Sequence, residues 1–176
     1  MGNCYCCNII NGGGVGFQAK EYVVELEGGW VLNHCGGDST YLGYLILQTK
    51  RHRSEFHELT SEEASCLGRN MQHINLSLRH YWSVKYSDDP VERVYAAYLN
   101  ETPYFKHLTG EALLEESHIH FHLLTRTRNV AKNLVDCPDT LGWNLLKNIE
   151  KFPSYLRGND DDKINLMKYL KESLGM

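Results

Sequence analysis

Residues Ser117–Arg126 read SHIHFHLLTR and place a histidine at every second position, at His118, His120 and His122. In a β-strand, side chains two residues apart lie on the same face, about 6–7 Å from each other. The spacing therefore predicts a strand with three imidazoles on one face and an apolar core face formed by Ile119, Phe121 and Leu123. A helix would scatter the same histidines around its circumference. A solvent-exposed polar face is the ordinary alternative, but three histidines in register favour a chemical site, either catalytic or metal-binding.

The segments around this strand predict an α+β fold with an antiparallel sheet of about five strands. Two short runs, 21–26 and 30–34, are separated by a glycine-containing turn and are typical of a hairpin. The near-continuous apolar run 41–48 indicates a buried strand, and 92–101 a further one. Thr60 and Glu63 form a capping box, which predicts a helix that runs to about Tyr81 and packs on the sheet. The apolar positions of this helix are Ala64, Leu67, Met71, Ile74 and Leu78.

The C-terminal part of the chain carries two further helical patterns, around 141–152 and 163–174, separated by Pro153 and the polar sequence GNDDD. The chain has no internal repeat and no linker between domains, and its length of 176 residues suits one buried core. We therefore predict a single domain over 1–176, in which residues 130–176 form a helical C-terminal extension.

Charge and cysteine usage argue against several classes of protein. The formal net charge of −4 disfavours nucleic acids and anionic membranes as partners, because both require a basic surface. No apolar run reaches the roughly 18 residues of a membrane span, and the N-terminus lacks the pattern of a secretory signal. Three of the six cysteines fall in the first seven residues, which is not the spacing of a secreted disulfide framework. A cytoplasmic chain with reduced thiols is expected.

The clustered cysteines direct attention to metal binding. Cys4 and Cys7 have the Cys-x-x-Cys spacing that lets two thiolates occupy adjacent corners of a tetrahedron around Zn²⁺. Cys6 supplies a third thiol in the same segment. The spacing alone leaves two interpretations open, a zinc site completed by ligands from elsewhere in the chain and reduced cysteines without a metal.

Taken together, these segments resemble the histidine-triad superfamily of nucleotide hydrolases and transferases. HIHFHLL (118–124) matches the family pattern His-φ-His-φ-His-φ-φ, where φ is apolar. CYCCNIINGG (4–13) is similar to the Cys-x-x-Cys-x-Ile-Ile-x-Gly opening of the zinc-containing, nucleoside-phosphoramidate-hydrolase-like branch. GYLILQTKRH (43–52) is similar to its Gly-His-x-Leu-Val-Ile-Pro-Lys-x-His segment, and ELTSEEASCLGR (58–69) to its capped helix. The order and spacing agree over about residues 4–128.

The resemblance implies an activity. His120 would be the nucleophile that attacks the α-phosphorus of a nucleoside phosphoramidate, a dinucleoside polyphosphate or a related nucleotidyl compound. Water would then hydrolyse the nucleotidyl-histidine intermediate. His122 would position the reacting groups or share the developing charge. Neutral imidazole suits the first role, because it is nucleophilic near neutral pH and a hydrogen bond at one ring nitrogen leaves the other unprotonated.

The resemblance also implies a structural Zn²⁺ and a homodimer. The two zinc ligands that would join Cys4 and Cys7 are His52 and His118. A site of this kind has no open position for water, so its expected role is to hold the N-terminal segment against the sheet at the start of the histidine strand.

The candidate nucleotide-binding residues are Asn100, Tyr44 and Arg126. Asn100 and Arg126 stand where the family often has the same residues, although an exposed cation near a strand end explains Arg126 equally well. Part of this region departs from the family pattern. Tyr44 replaces the histidine of Gly-His, and its hydroxyl can donate to a phosphate oxygen. Leu114 and Glu115 stand where the family's Gln and Ser contact the phosphate. Two alternatives to an enzyme therefore stay open, a nucleotide-binding protein of the same fold with little turnover and a zinc-stabilised interaction module.

Overall fold

A computed structural model describes residues 4–36, 41–98, 117–129 and 158–175. Within these residues the fold is α+β, as the sequence predicts, with a five-stranded antiparallel sheet and three α-helices. The strands are β1 Val24–Leu26, β2 Trp30–His34, β3 Tyr44–Thr49, β4 Val91–Tyr98 and β5 His120–Thr127, and the helices are α1 Tyr5–Asn8, α2 Ser61–Lys85 and α3 Asp160–Leu174. The strands lie in the order β1-β2-β3-β5-β4.

The strand that carries the histidines is flanked on both sides. β5 pairs antiparallel with β3 on one side and with β4 on the other. The register sets His120 opposite Gln48, and His122 between Ile46 and Ala97. Residues directly opposite each other in an antiparallel sheet share a face, so these five side chains lie on one side of the sheet. Two hydrogen-bonded ladders therefore fix the backbone that presents the histidines.

The other face of the sheet forms the main core. Ile119, Phe121 and Leu123 are all buried, as the alternation in the sequence predicts. They pack with apolar residues of β2, β3, α2 and α3, which include Leu32, Leu45, Leu47, Ile74, Leu78, Trp82, Leu166, Met167 and Leu170. Each such side chain contributes roughly 1.5–3 kcal/mol by leaving water, which holds β5 firmly against the helices.

The strands predicted from the sequence are present with small changes at their ends. β1 and β2 form the expected hairpin, in which Leu26 pairs with Trp30. The apolar run 41–48 contributes β3, which begins only at Tyr44 because Gly43 turns the chain with a φ of +85°. The strand predicted over 92–101 is observed as β4, and residues 99–101 lie outside the described residues.

Helix α2 is one turn longer than predicted, and its predicted positions Leu67, Met71, Ile74 and Leu78 pack in the core, whereas Ala64 does not. The helix continues past Tyr81 to Lys85 because Trp82, which is fully buried, extends the apolar side. Ala64 is exposed, whereas the inward positions at this end are Glu63, Cys66 and Asn70. Apolar periodicity does not reveal these positions, because two of the three are polar.

Main-chain and side-chain hydrogen bonds explain the polar residues on this face of α2. Trp30 Nε1–H donates to the Glu63 carbonyl at 2.7 Å, and Asn70 Nδ2 donates to the Glu27 carbonyl at 3.0 Å. The Glu63 carboxylate accepts from the Thr60 amide at 2.7 Å within the predicted capping box. Buried polar groups with such partners cost little to bury, and they anchor the helix to the β1–β2 turn.

Helix α3 confirms the second C-terminal pattern and gives the GNDDD sequence a role. Asn159 caps the helix by accepting from the Asp162 amide at 2.8 Å, so the polar stretch begins the helix and does not merely separate two of them. Its acidic first turn suits the positive end of the helix dipole. The pattern around 141–152 lies outside the described residues. Among the helices that are described, none is long and apolar enough to cross a membrane.

Candidate metal centre and histidine pair

Four residues from three distant segments come together at the start of β5. Cys4 is the N-cap of α1 and Cys7 lies within that helix, His52 follows β3, and His118 precedes β5. Their sulfur and ring-nitrogen atoms all lie within 4.8 Å of one another, so the group can hold a metal ion. This is the ligand set that the resemblance implies.

The spacing within this cluster fits tetrahedral coordination. The Nδ1 atom of His118 lies 3.4 Å from the sulfurs of both Cys4 and Cys7, and the Nδ1 atom of His52 lies 3.4 Å from the Cys7 sulfur. Typical Zn–S and Zn–N bonds of ~2.3 and ~2.0 Å at a tetrahedral angle would separate sulfur from nitrogen by about 3.5 Å. These three distances match a tetrahedral site, and the group as a whole is compact enough to hold a metal ion.

The outer nitrogen of each histidine is held so that the inner one faces the cluster. His118 Nε2–H donates to the Thr49 carbonyl at 2.9 Å, which leaves the lone pair on Nδ1. His52 Nε2 lies 3.3 Å from the Ser54 hydroxyl. Metal-binding histidines usually have such outer partners, which fix the tautomer and the ring orientation. Neither Thr49 nor Ser54 carries a sequence signal for this role, because the contact depends on the fold.

The cysteine side of the cluster is arranged to favour thiolate. The sulfur of Cys4 caps α1 and accepts from the Cys7 amide at 3.4 Å. Hydrogen bonds from Cys6 and His118 lower the pKa of Cys4 well below that of a free thiol, although burial opposes the shift. A thiolate is the form of cysteine that binds metal. Cys6 therefore supports Cys4 in this structure, and it is not one of the four clustered residues.

A second group, the histidine pair, consists of His120 and His122 on the same face of β5. Their rings lie 4.8 Å apart, with the two Nε2 atoms separated by 3.0 Å. Both side chains are half-buried. The prediction that alternate histidines face one way is confirmed, but His118 turns its ring toward the cysteines while the other two turn toward each other.

Hydrogen bonds determine the protonation of the pair when both rings are neutral. The Nδ1 atom of His120 lies 2.6 Å from the His118 carbonyl, which only accepts, so Nδ1 carries the hydrogen. The lone pair of His120 is then on Nε2, and the Nε2–H of His122 donates to it. Burial and the neighbouring His120 lower the pKa of His122 to about 4, which keeps its ring neutral at pH 7.

The three predicted nucleotide-binding residues have different surroundings. Tyr44 lies beside the histidine pair, and its hydroxyl is 2.6 Å from Nδ1 of His122. Arg126 lies four residues after His122 along β5, about 13 Å further on, and its guanidinium is bonded to the Tyr95 hydroxyl at 2.8 Å. Asn100 is outside the described residues, as are Leu114 and Glu115. The role of this set in nucleotide binding stays a prediction.

No protein-family model and no curated protein matches the chain.

Proposed function

We propose that this chain is a nucleotide hydrolase or nucleotidyl transferase of the histidine-triad type, which acts at the α-phosphate of a nucleotidyl compound. The single observation that carries the proposal is the 2.6 Å hydrogen bond between Nδ1 of His120 and the His118 carbonyl. It makes Nε2 the basic nitrogen of His120 and holds the ring against rotation. A nucleophile whose second nitrogen is fixed in this way is prepared for attack on phosphorus.

The proposed reaction has two displacement steps. In the first, the lone pair on Nε2 of His120 forms a bond to the α-phosphorus, and the bond from phosphorus to the leaving nitrogen or oxygen breaks. The leaving group keeps the electron pair and takes a proton from water, while the Nε2–H of neutral His122 donates a hydrogen bond to it. In the second step, water attacks the nucleotidyl phosphorus, the bond to Nε2 of His120 breaks, the lone pair returns to His120, and the proton of the attacking water passes to the hydroxide left by the first step.

The cofactor we propose is one structural Zn²⁺ held by Cys4, Cys7, His52 and His118. The fit of the cluster to a tetrahedral ion and the outer hydrogen bonds of both histidines support this assignment. Such an ion would fix the N-terminal segment and His118. Because the carbonyl of His118 also orients His120, the site would support the nucleophile without taking part in the reaction.

We also propose a homodimer and a phosphate contact from Arg126. Among the described residues, β4 pairs with β5 alone and is the last strand of the sheet, so its outer edge offers backbone groups to a second copy. Sedimentation at micromolar concentration tests the dimer, and a monomer would exclude it.

Arg126 lies on the same face of β5 as His120 and His122, which supports a contact to an extended polyphosphate.

The test of the function is an incubation of the zinc-loaded protein with adenosine phosphoramidate and with diadenosine polyphosphates. We expect turnover by the wild type and a loss of more than about 10³-fold in His120→Ala, since the nucleophile is removed. His57→Ala is the matched control, because His57 is an exposed histidine in the short 3₁₀ helix Phe56–Glu58. Equal rates for wild type and His120→Ala would refute the covalent mechanism. Binding of nucleotides without turnover by wild type would favour a nucleotide-binding protein.

A further inference from the structure

Tyr44 holds a fixed place against the histidine pair. Only 6% of its surface is exposed, and its ring lies 5.9 Å from the ring of Tyr41 and 5.7 Å from that of His122. The preceding residue, Gly43, has a φ of +85°, and its carbonyl accepts from the Thr125 hydroxyl at 3.0 Å. The backbone that carries Tyr44 is therefore tied to β5 through Thr125, and this fixes the position of the phenol beside His122.

The hydrogen of the Tyr44 hydroxyl is available for His122. The hydroxyl oxygen lies 2.6 Å from Nδ1 of that ring. Cys35 also hydrogen bonds to the Tyr44 side chain, and burial raises the pKa of its thiol to about 11. Cys35 is therefore a neutral thiol at pH 7 that donates its S–H to the Gly36 carbonyl at 3.6 Å, and its sulfur is a weaker acceptor for the phenol hydrogen than the imidazole nitrogen of His122.

This arrangement selects one tautomer of His122. A neutral imidazole has one N–H and one lone pair, and a donor at Nδ1 requires the lone pair to be there. The hydrogen must then be on Nε2, which is the atom that faces Nε2 of His120 at 3.0 Å. Three side chains thus form a directed series in which Tyr44 donates to His122 and His122 donates to His120.

We propose that Tyr44 is a positioning residue, which fixes His122 as the Nε2–H tautomer, so that this N–H donates a hydrogen bond to a phosphoryl or leaving-group atom of the substrate bound at His120. The assignment rests on the proposed function. It gives the tyrosine a role through His122 and not through direct contact with phosphate. Removing the hydroxyl would free Nδ1, so that only the lone pair of His120 would favour the Nε2–H form, and a larger share of the rings would take the other tautomer, which presents no hydrogen to the substrate.

The first test measures the tautomer without any substrate. In long-range ¹H–¹⁵N correlation spectra of ¹⁵N-labelled, zinc-loaded protein at pH 8, we expect His122 to be protonated at Nε2 and not at Nδ1. Tyr44→Phe is expected to give a mixture of both forms. Tyr41→Phe is the control, because it removes a buried hydroxyl next to Tyr44 but leaves the bond to His122 in place, so its His122 signals should match the wild type. A wild-type His122 protonated at Nδ1 would overturn the proposal.

The second test uses the turnover assay. Tyr44→Phe is expected to lower kcat about tenfold, which corresponds to the loss of one hydrogen bond, and to change KM by less than about twofold. Tyr41→Phe should retain the wild-type kcat. A Tyr44→Phe variant with altered tautomers and an unchanged kcat would overturn the positioning role. Absence of turnover in the wild type would refute the proposed function. The tautomer of His122 is tested separately, because the wild-type spectrum is recorded without substrate.

Discussion

His118 has two roles that act through different atoms. Its ring faces the cysteines and its carbonyl orients His120, so one residue connects the metal site with the histidine pair. The side chain is almost completely buried, and Thr49 holds its outer nitrogen. Loss of the ring should therefore disturb the metal first and the reaction only as a consequence.

His118→Ala tests this order of effects. We expect less than one equivalent of zinc per chain by metal analysis and a melting temperature several degrees below wild type, because a structural metal site contributes folding energy. His120→Ala is the comparison, since its half-buried ring is outside the cluster and its zinc content and melting temperature should stay near wild type. Full zinc occupancy in a stable His118→Ala protein would contradict the assigned ligand set.

Protonation of His34 should make the free energy of unfolding depend on pH. Its side chain is fully buried at the end of β2 and bonded to the Cys35 carbonyl, and burial together with the charge of Lys163 lowers its pKa from 6.5 to about 4. Above pH 6.5 the ring is neutral in both folded and unfolded chains. As pH falls from 6.5 to 4 only the unfolded chain takes up the proton, so the free energy of unfolding decreases by about 3 kcal/mol.

Chemical denaturation of His34→Gln and His57→Gln across this pH range measures the effect. Both variants retain the metal cluster, so any loss of stability that its protonation causes is common to them. The His34 variant should lose less stability between pH 6.5 and 4 than the variant of the exposed His57. Equal slopes for the two proteins would show that His34 is protonated in the folded state.

Among the strands, β3 takes its direction from the turn at Gly43, which also sets the position of Tyr44. A side chain at Gly43 would bring a Cβ within 2.7 Å of Trp82 and 2.9 Å of Thr125, in addition to the strain of its positive φ. Gly16 also has a positive φ, but it has open space around it. The two glycines therefore separate the cost of backbone strain from the cost of steric overlap.

Gly43→Ala should be markedly less stable than Gly16→Ala. Backbone strain costs about 1 kcal/mol in both, and overpacking adds roughly 1–3 kcal/mol at Gly43 alone. The free energy of unfolding from urea titrations gives both values. Turnover should also fall in Gly43→Ala as Tyr44 shifts. Similar stability of the two variants would contradict the expected overpacking cost and would mean that Trp82 and Thr125 move to accommodate the added methyl group.

The elements that the sequence predicts well are those with a regular period and a local start signal. The alternation in 117–126 predicts both the strand and its buried face, and the capping box at Thr60 predicts the start of α2. The first buried positions of α2 escape prediction, because Glu63 and Asn70 are held by hydrogen bonds to Trp30 and Glu27, which are distant in sequence. The contact of Tyr44 with His122 is hidden for the same reason, since 78 residues separate them.

At the scale of the whole molecule, the sheet brings the N-terminal cysteines, the end of β3 and the start of β5 to one place. The metal cluster lies before the first residue of β5, and the histidine pair follows within that strand. The core of α2 and α3 holds the opposite face. The strand is thus held at its start and along its core face. This arrangement suits the proposed nucleophile, because the residues that support His120 are already in place before substrate binds.

The proposed function requires that His120 becomes covalently nucleotidylated, and this intermediate can be trapped. Zinc-loaded protein is mixed with adenosine phosphoramidate, quenched at alkaline pH, digested and analysed by mass spectrometry. We expect one adenylyl group on the peptide that contains His120, and none in His120→Ala. The covalent mechanism through His120 would be refuted by an adenylyl group on another residue. It would also be refuted if the wild type turned over substrate without an adduct under conditions that retain nucleotidyl-histidine.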